Sequence, residues 1–192
     1  MDIQNLLNSI FFPRKSEYET DDKDHLVSVD NDTSVGIRLF IKDVSYPTIL
    51  FFHANAEITH EYDDIAEMYN QYNINFIVSG YRGYGISNGT PTMQSSLDDS
   101  LKIFSYVKEH LEKTNNTNKL ILMGRSLGST STCHIMSNNE EEFDGAIIDS
   151  GFATEYPFLL RFGVDPESID FKLTDGFNNL EKIKKYKKPF LI

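Results

Sequence analysis

The sequence lacks most of what would staple, anchor or export a chain. Cys133 is its only cysteine, so no internal disulfide can form, as expected in a reducing compartment. No apolar run approaches the ~18 residues that a membrane-spanning helix needs. No basic stretch followed by an apolar core and a small-residue cleavage site is visible, so a secretory signal is not expected. These absences point to a cytoplasmic protein. They also make the Asn-x-Thr triplets at Asn31, Asn88 and Asn115 products of an Asn-rich composition rather than glycan sites. Positive charge is scarce: 18 Lys and Arg stand against 29 Asp and Glu, a formal charge of −11. Such a surface repels phosphate backbones, so nucleic acid is not an expected partner.

What is present is enough to fold. At 192 residues, 40% of them hydrophobic, with 14 Phe and 10 Tyr, the chain has the length of one domain and material for a sizeable core. There is no internal repeat and no linker that divides it. Ile3, Leu6, Leu7, Ile10 and Phe11 recur at helical spacing before Pro13, an amphipathic stretch within residues 1–20. It reads as a helix packed on the domain, with peripheral membrane contact through residues 1–12 as the alternative. Residues 26–30 and 35–42 flank the turn-forming Asn31-Asp32-Thr33-Ser34 and predict an antiparallel hairpin.

Residues 48–52, 74–79, 119–123 and 145–149 are short, nearly continuous apolar runs, the pattern of parallel strands covered on both faces. Helical intervals separate them. Ile58, Tyr62, Ile65, Tyr69 and Tyr72 share one face, and Met93, Leu97, Leu101, Phe104 and Leu111 another, behind Pro91. A third helix follows residue 126. This alternation predicts a doubly wound, mostly parallel α/β sheet with an antiparallel N-terminal hairpin. Residues 151–178 are irregular and aromatic, a small lid-like insertion. Residues 180–186 predict a further helix, and residues 189–192 a strand that has only begun.

The chemistry gathers at Gly124-Arg125-Ser126-Leu127-Gly128. The pentapeptide follows an apolar run and precedes a helix, which is the context that distinguishes a nucleophile elbow from a chance G-x-S-x-G. A serine on so tight a turn is strained, and glycines two residues to either side remove the clash that bulkier neighbours would cause. Ser126 is therefore the candidate nucleophile. The small-residue loop after Phe51-Phe52, His53-Ala54-Asn55-Ala56, could supply backbone N–H groups which, with that of Leu127, would bind an oxyanion. His53, at the end of a buried strand, reads as a structural support of that loop rather than as a base.

The strings FFHANAE, SGYRGYGISNGTP, LMGRSLGS, GAIIDSGFA and LEKIKKYKKPFLI, in that order, resemble landmarks of one branch of the α/β-hydrolase superfamily. That branch holds the BEM-like hydrolases and the protein depalmitoylases. The resemblance runs from about residue 10 to the last. It implies the α/β-hydrolase fold, Ser126 as nucleophile, and Asn55 and Leu127 as oxyanion donors. It also implies an ester or thioester substrate, either a small molecule or a lipid or acyl-protein, and no cofactor or metal. One departure is Ala54, where the branch usually has Gly. The branch orders its triad Ser, Asp, His. The resemblance therefore implies that the strand beginning at Pro189 continues into a His-Gly turn with the acid shortly after it, and that the base histidine follows the next strand. Asp149 is the one substitute acid within the chain.

Other readings compete. A degenerate hydrolase fold that binds without turnover is the main alternative, since triad acid and base are absent. Gly83, Gly85 and Gly89 are spaced G-x-G-x-x-x-G and lie late in the sheet, a poor dinucleotide fingerprint. His53, His60, Asp63 and Asp64 have no metal-ligand spacing. The five lysines from Lys182 to Lys188 predict a solvated helix face.

Overall fold

The computed structural model describes residues 3–192. Seven strands form one sheet: β1 (Asp24–Ser28), β2 (Ser34–Phe40), β3 (Thr48–Phe52), β4 (Asn75–Ser79), β5 (Leu120–Arg125), β6 (Gly145–Asp149) and β7 (Phe190–Leu191), in the order β1-β2-β4-β3-β5-β6-β7. β1 and β2 form the antiparallel hairpin, β2 runs antiparallel to β4, and the remaining pairs are parallel. Every residue of β3 and β4 is buried. That explains their unbroken apolar sequence: helices cover both faces and leave no solvent side to carry polar residues.

The helices are α1 (Ile3–Asn8), α2 (Asp63–Gln71), α3 (Met93–Lys113), α4 (Gly128–Asn138), α5 (Tyr156–Arg161) and α6 (Asn179–Lys185). On one face of the sheet, Ile103, Phe104 and Val107 of α3 and Ile135 and Met136 of α4 pack on Leu50, Ile77 and Leu122. On the other, Tyr62 and Ala66 pack on Phe51, Phe76 and Val78. α3 starts at a reciprocal cap, with Ser95 N donating to Thr92 Oγ1 at 3.0 Å and Thr92 N to Ser95 Oγ at 2.9 Å.

The expected face of α2 is corrected. A 3-10 turn, Thr59–Tyr62, precedes it and rotates the register, so the packed stripe is Tyr62, Ala66 and Tyr69. Ile65 is 36% exposed and Tyr72 75%. The N-terminal stretch also differs from a continuous amphipathic helix. α1 ends at Asn8, and Ile10 and Phe11 follow it in irregular backbone. Leu7, Ile10 and Phe11 are buried against Tyr81, Tyr84, Met93, Leu97 and Leu127. Each such burial contributes roughly 1.5–3 kcal/mol, so this apolar face is spent on the fold. Residues 1 and 2 of the expected membrane-contact stretch lie outside the described residues.

The lysine run is not uniformly solvated either. Lys182 is half-buried, and burial pushes its pKa down to about 8. Gly83, Gly85 and Gly89 all have positive φ, and their loop pairs with the N-terminal segment through Gly85 N to Arg14 O at 2.7 Å and Ser16 N to Gly85 O at 3.2 Å. Arg38 binds Asp63 and Asp21, and His60 Nε2 lies 3.2 Å from Asp24. No group of three or more candidate metal ligands exists among the described residues. No helix among them is long and apolar enough to cross a membrane.

Candidate active site

The register aligns the carboxyl ends of the central strands, with Phe52 opposite both Ser79 and Gly124, and Arg125 opposite Asp149. Ligands of open α/β sheets bind at this edge, where the chain leaves each strand for a helix. Ser126 stands there between β5 and α4, half-buried, with φ of +49°. A left-handed serine costs about 1–3 kcal/mol, so the surroundings must hold it. They do: Ser126 N donates to Asp149 O at 2.9 Å, while Ser126 O accepts from Ser129 N at 3.0 Å and Ser129 Oγ at 2.6 Å.

The flanking glycines are dictated by contact. A Cβ on Gly128 would lie 1.9 Å from Phe52 O, and one on Gly124 2.3 Å from Gly128 O. No side chain fits at either place, because backbone crosses backbone. Ser126 thus rises over the sheet edge at the head of α4, whose N-terminal end favours negative charge.

The loop after β3 lies beside it. His53 is fully buried and ringed by Tyr62, Tyr81 and Tyr84. Its Nδ1 donates to Ala54 O at 2.7 Å, and burial lowers its pKa. Ala54 N donates to Glu57 Oε2 at 2.8 Å and so is occupied. The Asn55 side chain is held on both sides: Oδ1 accepts from Phe12 N at 3.0 Å, Ala56 N at 2.9 Å and the Tyr84 hydroxyl at 2.6 Å, and Nδ2 donates to Ile10 O at 2.5 Å. One side chain therefore ties the N-terminal segment to this loop. The backbone N–H groups of Asn55 and Leu127 donate to no protein acceptor among the described residues.

Ser126, Leu127 and Asn55 face one cavity of about 410 Å³, with Ile10, Phe12, Phe152, Phe158, Arg161 and Phe162 completing its lining. That size suits a small-molecule ligand. Residues 151–178 supply four of these nine residues. Glu155 anchors the segment, accepting from Phe177 N at 2.6 Å, and burial raises its pKa. Phe152 packs edge-on against Phe158 and Phe177, with ring centres 4.9 and 6.0 Å apart.

Asp149 does not enter the cavity lining; its Oδ1 accepts from Ser150 Oγ at 2.9 Å, and Oδ2 lies 3.7 Å from Arg125 Nε. None of the five histidines lines it. His134 lies on α4 near Lys182, and burial brings its pKa down to about 4. Sequence reasoning missed Glu57, whose carboxylate also accepts from Tyr62 at 2.5 Å and faces Arg125 at 3.3 Å. It missed Tyr84 and Arg161 as well. No spacing rule marks these residues: Glu57 bonds Ala54 and Tyr62 nearby in sequence, Tyr84 reaches Asn55 and Phe12 from far along the chain, and Arg161 enters only through the cavity lining.

The sheet order, the strained strand-to-helix serine and the cavity at the carboxyl edge define an α/β hydrolase. The chain belongs to the family described as serine aminopeptidase, S33, whose profile matches residues 45–159. It is 28% identical over 178 residues to the α/β hydrolase domain-containing protein WAV2 of Arabidopsis thaliana, covering 83% of this chain and 57% of that protein. It is 29% identical over 150 residues to protein bem46 of Schizosaccharomyces pombe, covering 75% and 48%. With the lysophosphatidylserine lipase ABHD12 of Rattus norvegicus it shares 28% over 166 residues, covering 77% and 40%. The chain thus spans about half the length of the curated relatives it matches. Among solved structures, ferulic-acid-bound Est1E from Butyrivibrio proteoclasticus has the same fold, with a TM-score of 0.67 at 20% identity over 87% of this chain and 77% of that one.

Proposed function

We propose that Ser126 is the nucleophile of a serine hydrolase that transfers an acyl group from an ester or thioester to water, in one hydrolase domain with residues 151–178 as its lid. The observation that carries this reading is the shared cavity. Ser126, held at φ +49°, lines the same cavity as Asn55 and Leu127, whose backbone N–H groups have no protein acceptor among the described residues. Ser126 Oγ attacks the carbonyl carbon, and the carbonyl π electrons move onto oxygen, where the two N–H groups hold the charge. The Ser126 hydroxyl proton passes to the leaving oxygen or sulfur, so that collapse expels the alcohol or thiol and leaves the acyl group on Ser126. Water then attacks the acyl-enzyme, gives one proton back to Ser126 Oγ, and the carboxylic acid departs.

The family description names a peptidase, and ABHD12 is named a lipase. The apolar lining, Ile10, Phe12, Phe152, Phe158 and Phe162, favours a lipophilic acyl group over a peptide. The general base is assigned to no described residue, since no histidine lines the cavity. That same observation favours a second reading, a hydrolase fold that binds its ligand without turnover.

Turnover of a medium-chain acyl ester by the full-length gene product separates the two. Ser126→Ala should lower kcat by roughly 10⁴–10⁶. Equal turnover in the variant contradicts the nucleophile assignment, and no turnover in the unmutated protein supports binding alone.

A further inference from the structure

The sequence contains five arginines. Arg14 pairs with Glu61, Arg38 with Asp21, Asp24 and Asp63, Arg82 with Asp30 and Asp99, and Arg125 with Glu57 and Asp149. Arg161 has no ion pair and no hydrogen bond to its side chain among the described residues. In a chain with 29 acidic side chains an arginine does not lack partners by scarcity. Arg161 is also the one charged residue in the lining of the Ser126 cavity.

A helix-capping role does not account for it. Arg161 closes α5, but the last carbonyls of that helix already have donors. Phe158 O accepts from Phe162 N at 3.0 Å, Leu159 O from Val164 N at 2.9 Å, and Leu160 O from Gly163 N at 3.0 Å. Its neighbours Phe158 and Phe162 are apolar and line the same cavity. Arg161 is exposed, and an exposed arginine that borders apolar side chains and has no protein partner matches a ligand that has an acyl or aromatic body and a negative charge. The net charge of −11 sharpens the point, since the rest of the surface repels such a ligand.

We propose that Arg161 binds an anionic group, a phosphate ester or a carboxylate, on the molecule that enters the Ser126 cavity. The substrate is then an acyl ester or thioester that carries a negative charge. Calling that molecule a substrate rests on the hydrolase reading; the binding itself does not.

The test is calorimetric titration of the full-length gene product carrying Ser126→Ala, so that no chemistry intervenes. The ligands are octyl phosphate, octanoate, octyl glucoside and inorganic phosphate. Arg161→Gln should weaken at least one of the two alkyl anions about fivefold and leave octyl glucoside unchanged. The anion that loses affinity identifies the group recognised. Arg161→Lys should retain part of the affinity, and inorganic phosphate should not bind measurably. Unchanged affinity for both alkyl anions in Arg161→Gln would overturn the proposal, as would an equal loss for octyl glucoside. Inorganic phosphate binding as tightly as octyl phosphate would overturn it too, because no acyl body would then be needed. If Ser126 proves unreactive while the arginine dependence stands, the hydrolase reading fails and this one survives.

Discussion

At the elbow, backbone meets backbone. Phe52 O, Gly128 and Gly124 approach so closely that no Cβ can be inserted, and Ser126 is held left-handed by main-chain hydrogen bonds. On the other side of the cavity, residues 151–178 are tied to the fold largely by side chains, aromatic rings packed edge to face and one buried carboxylate, Glu155, at the Phe177 amide, beside a main-chain bond from Leu180 N to Ala153 O at 3.1 Å. The difference teaches which part of the site is free to vary. The position of Ser126 follows from the sheet and tolerates almost nothing. The cavity walls from residues 151–178 can be rebuilt one side chain at a time.

The strongest way to break this contrast is Gly128→Ala. Its Cβ would sit 1.9 Å from a carbonyl oxygen that cannot rotate away, so the cost should be at least about 3 kcal/mol, read as a fall in thermal or denaturant midpoint. A variant as stable as the parent would show that the elbow yields more than its geometry says. A smaller effect should follow Glu155→Ala, which leaves the buried Phe177 N–H without its acceptor at a cost of about 1–3 kcal/mol. That cost should be local. Amide exchange should quicken at residues 176 and 177 while residues 129–133 on α4 keep their protection. Equal quickening in both would mean that the Ser126 turn and residues 151–178 open as one unit. The Arg161→Gln titration is the mildest of the three, altering one ligand contact and no fold contact.

The same contrast governs what could be read from the sequence. The elbow is legible because its constraints are local: an apolar strand, two glycines at fixed spacing, and a helix directly after. The buried strands are legible because burial on both faces leaves continuous apolar runs, as in β3 and β4. Ile65 and Tyr72 were misplaced because a 3-10 turn shifts the helical phase, and composition does not announce such a turn. Lys182 was placed among solvated lysines, yet α6 packs on α4 and half-buries it. The Asn55 side-chain bonds to Ile10 and Phe12 join residues more than 40 positions apart, and the Tyr84 hydroxyl reaches Asn55 from a different loop. Such contacts exist only once the sheet has formed.

The central claim is that the serine at the elbow is chemically reactive. Its most direct test is to treat the full-length gene product with a fluorophosphonate, digest it, and locate the adduct by mass spectrometry. The account predicts one modified peptide, the one containing Ser126, and no adduct in Ser126→Ala. An adduct on another serine, or equal labelling of the Ser126→Ala variant, would contradict it.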